Sequence, residues 1–246
     1  SGRYEFKNKG IDVFLESLNR LNRDKDLKKK VLAFVNVPSW VGDPREDLQK
    51  RLKSKDKFTE PLQCPFITHW LHNMTHDQVL DMLKYLGMGN RPEDKVKVIF
   101  VPCYQDGHDG ILNKHYYDLI LGEDLSVYPS YYEPWGYTPL ESVAFRVPTI
   151  TTDLAGFGLW VNSLKNQHGI NDGVEVLHRS DYNYSEVADG IKDTVALFST
   201  KTEAEIKEIR KRAGQVAEQA LWKHFIQYYY EAYDIALRNA MKRQLK

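Results

Sequence analysis

Residues 127–158 read VYPSYYEPWGYTPLESVAFRVPTITTDLAGFG. The apolar residues 125–128 predict a short strand that ends at Pro129, and a helix is predicted to begin near residues 136–138. A second strand is predicted over residues 147–151. In a parallel sheet this order places the intervening loop at the carboxyl ends of the strands, where open α/β sheets bind ligands.

Two carboxylates flank the start of the predicted helix. Glu133 precedes its N-terminus, and Glu141 lies about one turn inside it. A helix N-terminus carries partial positive charge and free N–H groups, so it can bind an anion. This arrangement suits the diphosphate of a nucleotide-sugar donor. The alternative is that each Glu only stabilises the helix start, as a cap or through the helix dipole.

Strands and helices alternate along the rest of the chain, which predicts a Rossmann-like, doubly wound parallel α/β sheet. Residues 31–37 and 96–101 are continuous apolar runs typical of buried parallel strands. A short strand or a turn is predicted at residues 65–69, and a short strand at residues 173–177. Helices are predicted near residues 11–21, 45–55, 75–86, 113–121, 160–164, 184–198, 201–220 and 222–241.

The last two predicted helices differ in character. Residues 201–220 are rich in charge and predict an exposed helix. Residues 222–241 keep one apolar and aromatic stripe for about five turns. A stripe of this length indicates a face that packs against another surface.

Composition excludes several kinds of partner. Lys plus Arg and Asp plus Glu both number 34, and this balance argues against a nucleic acid or an anionic membrane surface. No apolar run approaches membrane-spanning length. Cys64 and Cys103 form no disulfide or metal pattern, which favours a reducing cytoplasm. His69, His72 and His76 lack the accompanying ligands of a metal site, so none is predicted.

Several motifs together resemble one family. They are PSYYEPWGYTPLE, TTDLAGFG, GRYEFKNKG, PFITHW, DKVKVIFVPCY, ILNKHYYDLI and WKHFIQYYYEAYDIAL. The chain resembles glycogen (starch) synthases of the animal and fungal type over most of its length. The resemblance implies that residues 1–246 form a single C-terminal lobe of a GT-B-type glycosyltransferase. It further implies that the N-terminal lobe is missing and that residues 221–246 form a helix crossing to it.

The resemblance also assigns roles to site residues. Glu133 would lie beside the donor glucose and support catalysis, while Arg3 and Lys9 would neutralise the leaving diphosphate. Glu141 would hydrogen-bond the ribose. The remaining residues would line the sugar and diphosphate (Trp135, Gly136, Tyr137 and Thr138) or pack around the uracil and ribose (Tyr104 and Tyr116).

The implied reaction transfers glucose from UDP-glucose to the non-reducing end of an α-1,4-glucan, with retention of configuration and without a metal or other cofactor. UDP and ADP donors stay open at this point. Two other interpretations also stay open: a related retaining transferase with another donor or acceptor, and a non-catalytic glucan-binding module. The isolated chain is expected to be inactive and to self-associate through the exposed terminal helix.

Two regions depart from the family's pattern. Residues 41–63 are a short charged stub where those enzymes carry a longer helical insertion used in subunit contacts, so their tetramer is not predicted. The family's arginine run, where glucose 6-phosphate docks, is reduced here to Arg210, Lys211 and Arg212. A solvated charged face is therefore the favoured interpretation of that segment.

Overall fold

The computed structural model describes residues 1–165 and 167–244, with the side chain of Gln244 excepted. It confirms the α/β class, with parallel strands and a long C-terminal helix. The strands described are β1 (Val31–Asn36), β2 (Val41–Pro44), β3 (His69–Leu71), β4 (Val96–Val101), β5 (Ser126–Val127), β6 (Thr149–Thr152) and β7 (Val174–Leu177).

The parallel strands pair in two groups. β1 pairs with β4, and β5, β6 and β7 pair in that order. β2 and β3 form a separate antiparallel pair. All the parallel strands follow the crossover rule of α/β proteins, in which helices connect strands that run in one direction.

Helices cover and connect these strands. The helices described are α1 (Ile11–Arg23), α2 (Glu46–Lys53), α3 (Gln78–Tyr85), α4 (Tyr116–Leu121), α5 (Tyr137–Ala144), α6 (Gly156–Ser163), α7 (Tyr184–Ser199), α8 (Glu203–Gln219) and α9 (Trp222–Gln244). The strand–loop–helix–strand unit predicted at residues 127–158 is present as β5, α5 and β6, and a further helix, α6, begins inside this stretch at Gly156.

The hydrophobic core has two main parts. One part lies around β1 and β4, where α1 and α3 contribute Leu15, Leu18 and Leu83. The other lies around β6 and β7 and includes Val143 and Phe157. Helix α1 also packs on α7. The core therefore supports the strands whose carboxyl ends carry the predicted site.

The prediction that residues 201–220 form an exposed helix was wrong for one face of α8. Ile209, Ala213 and Val216 are buried there. A Cβ added at Gly173 would lie 2.4 Å from the backbone nitrogen of Ala213, so α8 approaches the start of β7 very closely. Three apolar residues among many charges form the buried face of this helix, and most of its other residues are exposed or partly exposed.

The charged stub is organised around a buried arginine. The helix predicted near residues 45–55 is present as α2, which Arg45 precedes, and residues 43 and 44 end β2. The Arg45 side chain is fully buried and donates to the carbonyl oxygens of Gln63 and Cys64, each at 2.6 Å. It also pairs with Asp47, which lowers the pKa of that carboxyl. A guanidinium with several acceptors can be buried at low cost.

Over the described ranges, no helix is both long enough and apolar enough to cross a membrane.

Candidate functional site

The loop between β5 and α5 is held between two other segments of the chain. The Tyr131 N–H donates to the Asn8 carbonyl at 2.7 Å. On the other side, the Glu133 N–H donates to the Leu154 carbonyl at 3.3 Å, and the Phe157 N–H donates to the Trp135 carbonyl at 2.7 Å. The motifs GRYEFKNKG, PSYYEPWG and TTDLAGFG therefore meet at the carboxyl ends of the parallel strands.

Lys9 and Glu133 form an ion pair at this meeting point. Their side chains are 14% and 20% exposed, so the pair is largely shielded yet still reachable from solvent. A shielded ion pair is screened by salt much less than one on the surface. The structure thus brings Lys9 and Glu133 into direct contact, and their roles toward a ligand stay predictions.

Gly10 allows the loop ahead of α1 to approach Pro129. Gly10 has φ of 65°, and a Cβ added there would lie 2.0 Å from the Pro129 carbonyl oxygen. The same carbonyl accepts a 2.6 Å hydrogen bond from Arg179, whose guanidinium also lies 5.5 Å from the centre of the Tyr131 ring. Burial lowers the pKa of Arg179.

Sequence reasoning missed both Asn8 and Arg179 as residues that position the loop. Arg179 lies two residues after the end of β7, so it stands at the carboxyl end of a parallel strand, where site residues concentrate. This position after a predicted strand could have identified Arg179 from the sequence. Asn8 contributes through its carbonyl oxygen, and a backbone contact of this kind leaves no mark in residue identity.

The start of α5 has the expected glycine. Gly136 precedes the helix with φ of 105°, a conformation that favours glycine because it lacks a Cβ. Thr138 lines a cavity together with Lys9 and Ser130. Tyr137 is 73% exposed. The N-terminus of α5 therefore lies beside Lys9 and Glu133.

Trp135 is partly buried and packs in an aromatic cluster. Its ring lies 5.9 Å from that of Trp160 and 5.4 Å from that of Phe225, with Phe157 completing the cluster. Its backbone carbonyl is bonded to Phe157. The side chain thus anchors the loop, while the prediction that this segment lines a bound sugar and diphosphate stays a prediction.

Glu141 has a partner that the sequence did not indicate. The Tyr117 hydroxyl donates to Glu141 Oε1 at 3.1 Å, and the Tyr117 ring stacks on Phe145 with 5.2 Å between centroids. The carboxylate raises the pKa of Tyr117. The sequence analysis predicted the neighbouring Tyr116 instead. The two adjacent tyrosines at the start of α4 could have indicated Tyr117 as well. No contact among the described residues joins Glu141 to Glu133.

The other predicted site residues are more scattered. Arg3 is 74% exposed and pairs with Glu5 at 3.1 Å, without contact to Glu133 among the described residues. Tyr104 is 78% exposed on the loop after β4. Tyr116 is partly buried, its hydroxyl lies 2.7 Å from Ser1 Oγ, and burial raises its pKa. Their roles toward a ligand stay predictions.

His69, Cys103 and Asp109 place their ligating atoms within 4.8 Å of one another. Two of these three groups already have other partners: His69 Nε2 bonds the Asp109 carbonyl oxygen at 2.7 Å, and the Asp109 carboxylate accepts three backbone N–H groups. Burial raises the pKa of the Cys103 thiol to about 11. This bonding describes a loop anchor better than a metal site.

The basic cluster on α8 is engaged within the protein. Arg210 donates to the Glu123 carbonyl at 2.9 Å, and Arg212 pairs with Asp172 at 2.9 Å. Lys211 lies 3.7 Å from Glu208. These contacts agree with a structural, solvated face.

The fold is of the α/β class, and the candidate site lies at the carboxyl ends of its parallel strands. The sequence model of one family, described as "Glycogen synthase", matches residues 1–54 and 44–246. The chain belongs to the glycogen synthase family.

Named relatives agree with this assignment. The chain is 28% identical to the glycogen [starch] synthase of Neurospora crassa, covering 98% of this chain and 41% of that protein. It is 29% identical to glycogen [starch] synthase isoform 1 of Saccharomyces cerevisiae, covering 100% and 43%. It is 25% identical to the liver glycogen [starch] synthase of Mus musculus, covering 98% of this chain and 41% of that protein. The chain thus spans about two fifths of the length of these relatives.

Among solved structures, the chain is similar to WaaG, a glycosyltransferase involved in lipopolysaccharide biosynthesis. The TM-score is 0.44 at 12% identity, covering 87% of this chain and 40% of WaaG. This likeness is too distant to add to the family assignment.

The comparisons also bear on the charged stub. The family match consists of two pieces that overlap at residues 44–54. The alignment with the Saccharomyces protein runs over 306 residues, although this chain has 246. The relative therefore carries residues that this chain lacks, and the division of the family match agrees with a shortened segment at α2.

Proposed function

We propose that the chain is the donor-binding lobe of a retaining glycosyltransferase that transfers glucose from UDP-glucose to the non-reducing end of an α-1,4-glucan. The observation that carries this proposal is the shielded Lys9–Glu133 pair beside the N-terminus of α5. A cation, a carboxylate and a helix N-terminus at one point provide what the reaction requires, because it develops negative charge on the diphosphate and positive charge at the anomeric carbon.

In this proposal Lys9 moves from Glu133 toward the diphosphate when the donor binds, and Arg3 leaves Glu5 to assist it. The exposed position of Arg3 permits this movement. Glu133 then faces the sugar and stabilises positive charge at the anomeric carbon. The leaving phosphate itself accepts the proton of the acceptor hydroxyl, so Glu133 forms no covalent bond.

The nucleoside would lie against the loop after β4 and the start of α4. Glu141 would accept hydrogen bonds from the ribose hydroxyls, with Tyr117 holding the carboxylate in place. The exposed ring of Tyr104 is available to pack on the base. Uracil is favoured over adenine only by the family assignment.

We expect the chain to bind UDP-glucose weakly, with a dissociation constant on the order of 1 mM, which corresponds to about −4 kcal/mol. Half of the cleft would be contributed by another lobe. Isothermal calorimetry of the chain with UDP-glucose measures this. Glu141→Ala should weaken binding, because the ribose loses its acceptor.

Glu93→Ala is the matched control, since Glu93 is exposed on the loop ahead of β4, at the opposite end of the strands. Equal binding by the Glu141 and Glu93 variants, or no heat from the unaltered chain at millimolar ligand, would count against the donor site. Glycogen binding without nucleotide binding would favour the rival function, a non-catalytic glucan-binding module. Another sugar nucleotide that binds better would favour a related transferase.

The C-terminal helix is the proposed contact with the amino-terminal lobe of the whole protein. Along α9 large apolar side chains are exposed, namely Tyr228, Tyr229, Tyr230, Tyr233, Ile235, Leu237 and Met241. The last two residues of the predicted helix 221–246 lie outside the described residues. Exposed apolar patches of this kind usually mark an interaction surface.

We therefore expect the isolated chain to self-associate through α9, as measured by sedimentation velocity over a range of concentrations. A chain ending at Gln227 retains Phe225 against Trp135 and should be monomeric. If the two chains sediment alike, α9 is not the associating surface. The free thiols of Cys64 and Cys103 suit the proposed cytoplasmic location.

A further inference from the structure

A slot separates the two groups of parallel strands. β1 is the edge of one group and β5 is the edge of the other, and both line one cavity of about 610 Å³. Among the described strands, none pairs with these two edges. Apolar side chains from the covering helices complete the walls, including Phe14, Leu18, Val195, Phe198 and Ile206.

The peptide groups that face the slot can be identified from the existing ladder. Val31 and Val37 donate to Lys95 and Val101, so the odd-numbered residues of β1 bond to β4. The N–H and C=O of the even-numbered Leu32 and Phe34 then point away from β4, toward the slot. Buried peptide groups are nearly always paired in proteins, so two bare edges around an apolar cavity call for a partner.

The same pattern holds on the other side of the slot. Ser126 and Tyr128 donate to Pro148 and Ile150 of the β6 side, which leaves the peptide groups of Val127 facing the slot. The slot is thus bounded by two strand edges that offer donors and acceptors at the spacing of a β-ladder.

Side chains around β1 agree with a missing neighbour. Leu32 is 56% exposed, although residues 31–37 were predicted to be a buried strand. Asn36 is 9% exposed, lines the cavity and has an Oδ1 without a hydrogen-bond partner among the described residues. The prediction of burial fails at Leu32 because only one edge of β1 is covered.

One hydrogen bond shows the direction in which a strand would run. The Gly2 N–H donates to the Asn36 carbonyl at 3.2 Å, and Asn36 is the last residue of β1. This bond has the form of the final rung of a parallel ladder. A segment that reached Ser1 through the slot would continue that ladder along the whole of β1.

We propose that the slot is filled by an extended, apolar segment of about six residues, the length of β1, that runs parallel to β1 and β5 and continues directly into Ser1. It would join the two groups into one parallel sheet in the order β4, β1, new strand, β5, β6, β7. The following α1 and β1 would then complete a right-handed crossover.

The new strand would have the same relation to the site as the other parallel strands. The loop that carries Lys9 would follow its carboxyl end, as the loop that carries Glu133 follows β5. Occupation of the slot would therefore brace both members of the ion pair.

The test compares two extensions of the chain ahead of Ser1. One adds Val-Ile-Val-Ile-Val-Thr, and the other adds a Ser-Gly repeat of equal length. Amide hydrogen exchange should slow by about tenfold or more at Leu32, Phe34 and Val127 with the first extension only, because each would gain a buried ladder partner. Equal exchange with both extensions would overturn the proposal.

Leu32→Pro supplies a second arm that does not depend on how soluble the apolar extension is. Without an extension this substitution should change the melting temperature little, because proline is tolerated where an edge strand's N–H has no partner. With the apolar extension it should abolish the added protection. A large fall in the melting temperature of the unextended chain on Leu32→Pro would overturn the proposal. So would a dimer of the unextended chain that already protects these amides.

Discussion

Glu133→Gln in the intact enzyme is expected to lower kcat by about 10²-fold or more, a loss of about 2.7 kcal/mol of transition-state stabilisation. Glutamine keeps the size of the side chain and removes its charge. The loss should fall on kcat more than on KM, because in the proposed function Glu133 would stabilise a charge that develops only in the transition state. Steady-state kinetics with UDP-glucose and glycogen measure it.

Two further variants sharpen this prediction. Glu141→Ala should raise KM for UDP-glucose more than it lowers kcat, since the proposed ribose contact would be made both before and during the reaction. Lys9→Met and Glu133→Gln should be non-additive, because the two side chains touch. A change in kcat below about threefold for Glu133→Gln, against the transition-state effects typical of such groups, would remove the proposed role.

Gly156→Ala is expected to damage both stability and the site. A Cβ at this position would lie 2.3 Å from the Pro134 carbonyl oxygen and 3.2 Å from Trp135 Cα. Both contacts are with backbone, which cannot turn aside as a long side chain can. Forced overpacking costs about 1–3 kcal/mol, which for a chain of this size lowers the melting temperature by several degrees.

The substitution should also reduce donor binding, because the Gly156 N–H donates to the Glu133 carbonyl at 3.1 Å. Gly122→Ala is the matched control: the nearest atom to its Cβ would be at 3.4 Å, an ordinary contact, and its φ is −84°. Thermal melts and UDP-glucose calorimetry on both variants test this. Similar melting temperatures for the two would show that the loop yields easily.

Much of the fold could be read from local patterns. The unit β5–α5–β6 follows from two apolar runs, Pro129 and Gly136, since each of these residues restricts or permits backbone conformation locally. The amphipathic spacing of α1 and α7 likewise predicted their buried faces. Family-like motifs predicted Glu133, Lys9 and Glu141 as site residues, although only the first two are joined by a contact.

Other features depended on contacts between distant parts of the chain. Lys9 and Glu133 are 124 residues apart, and nothing in either segment alone specifies that they pair. The burial of Arg45 and of one face of α8 also depends on distant contacts. Burial is set by neighbours that the periodicity of the sequence does not reveal.

The alternation of apolar runs and turn residues was sufficient to establish an α/β chain and to predict that the loop after Pro129 lies at the carboxyl ends of the strands. That pattern is local, since backbone preferences act over a few residues. Only the tertiary structure decided which strand edges pair, that β1 and β5 leave a slot between them, and that Arg179 secures Pro129. Strand pairing and ion pairs join residues far apart in the chain, so their geometry exists only once the chain has folded.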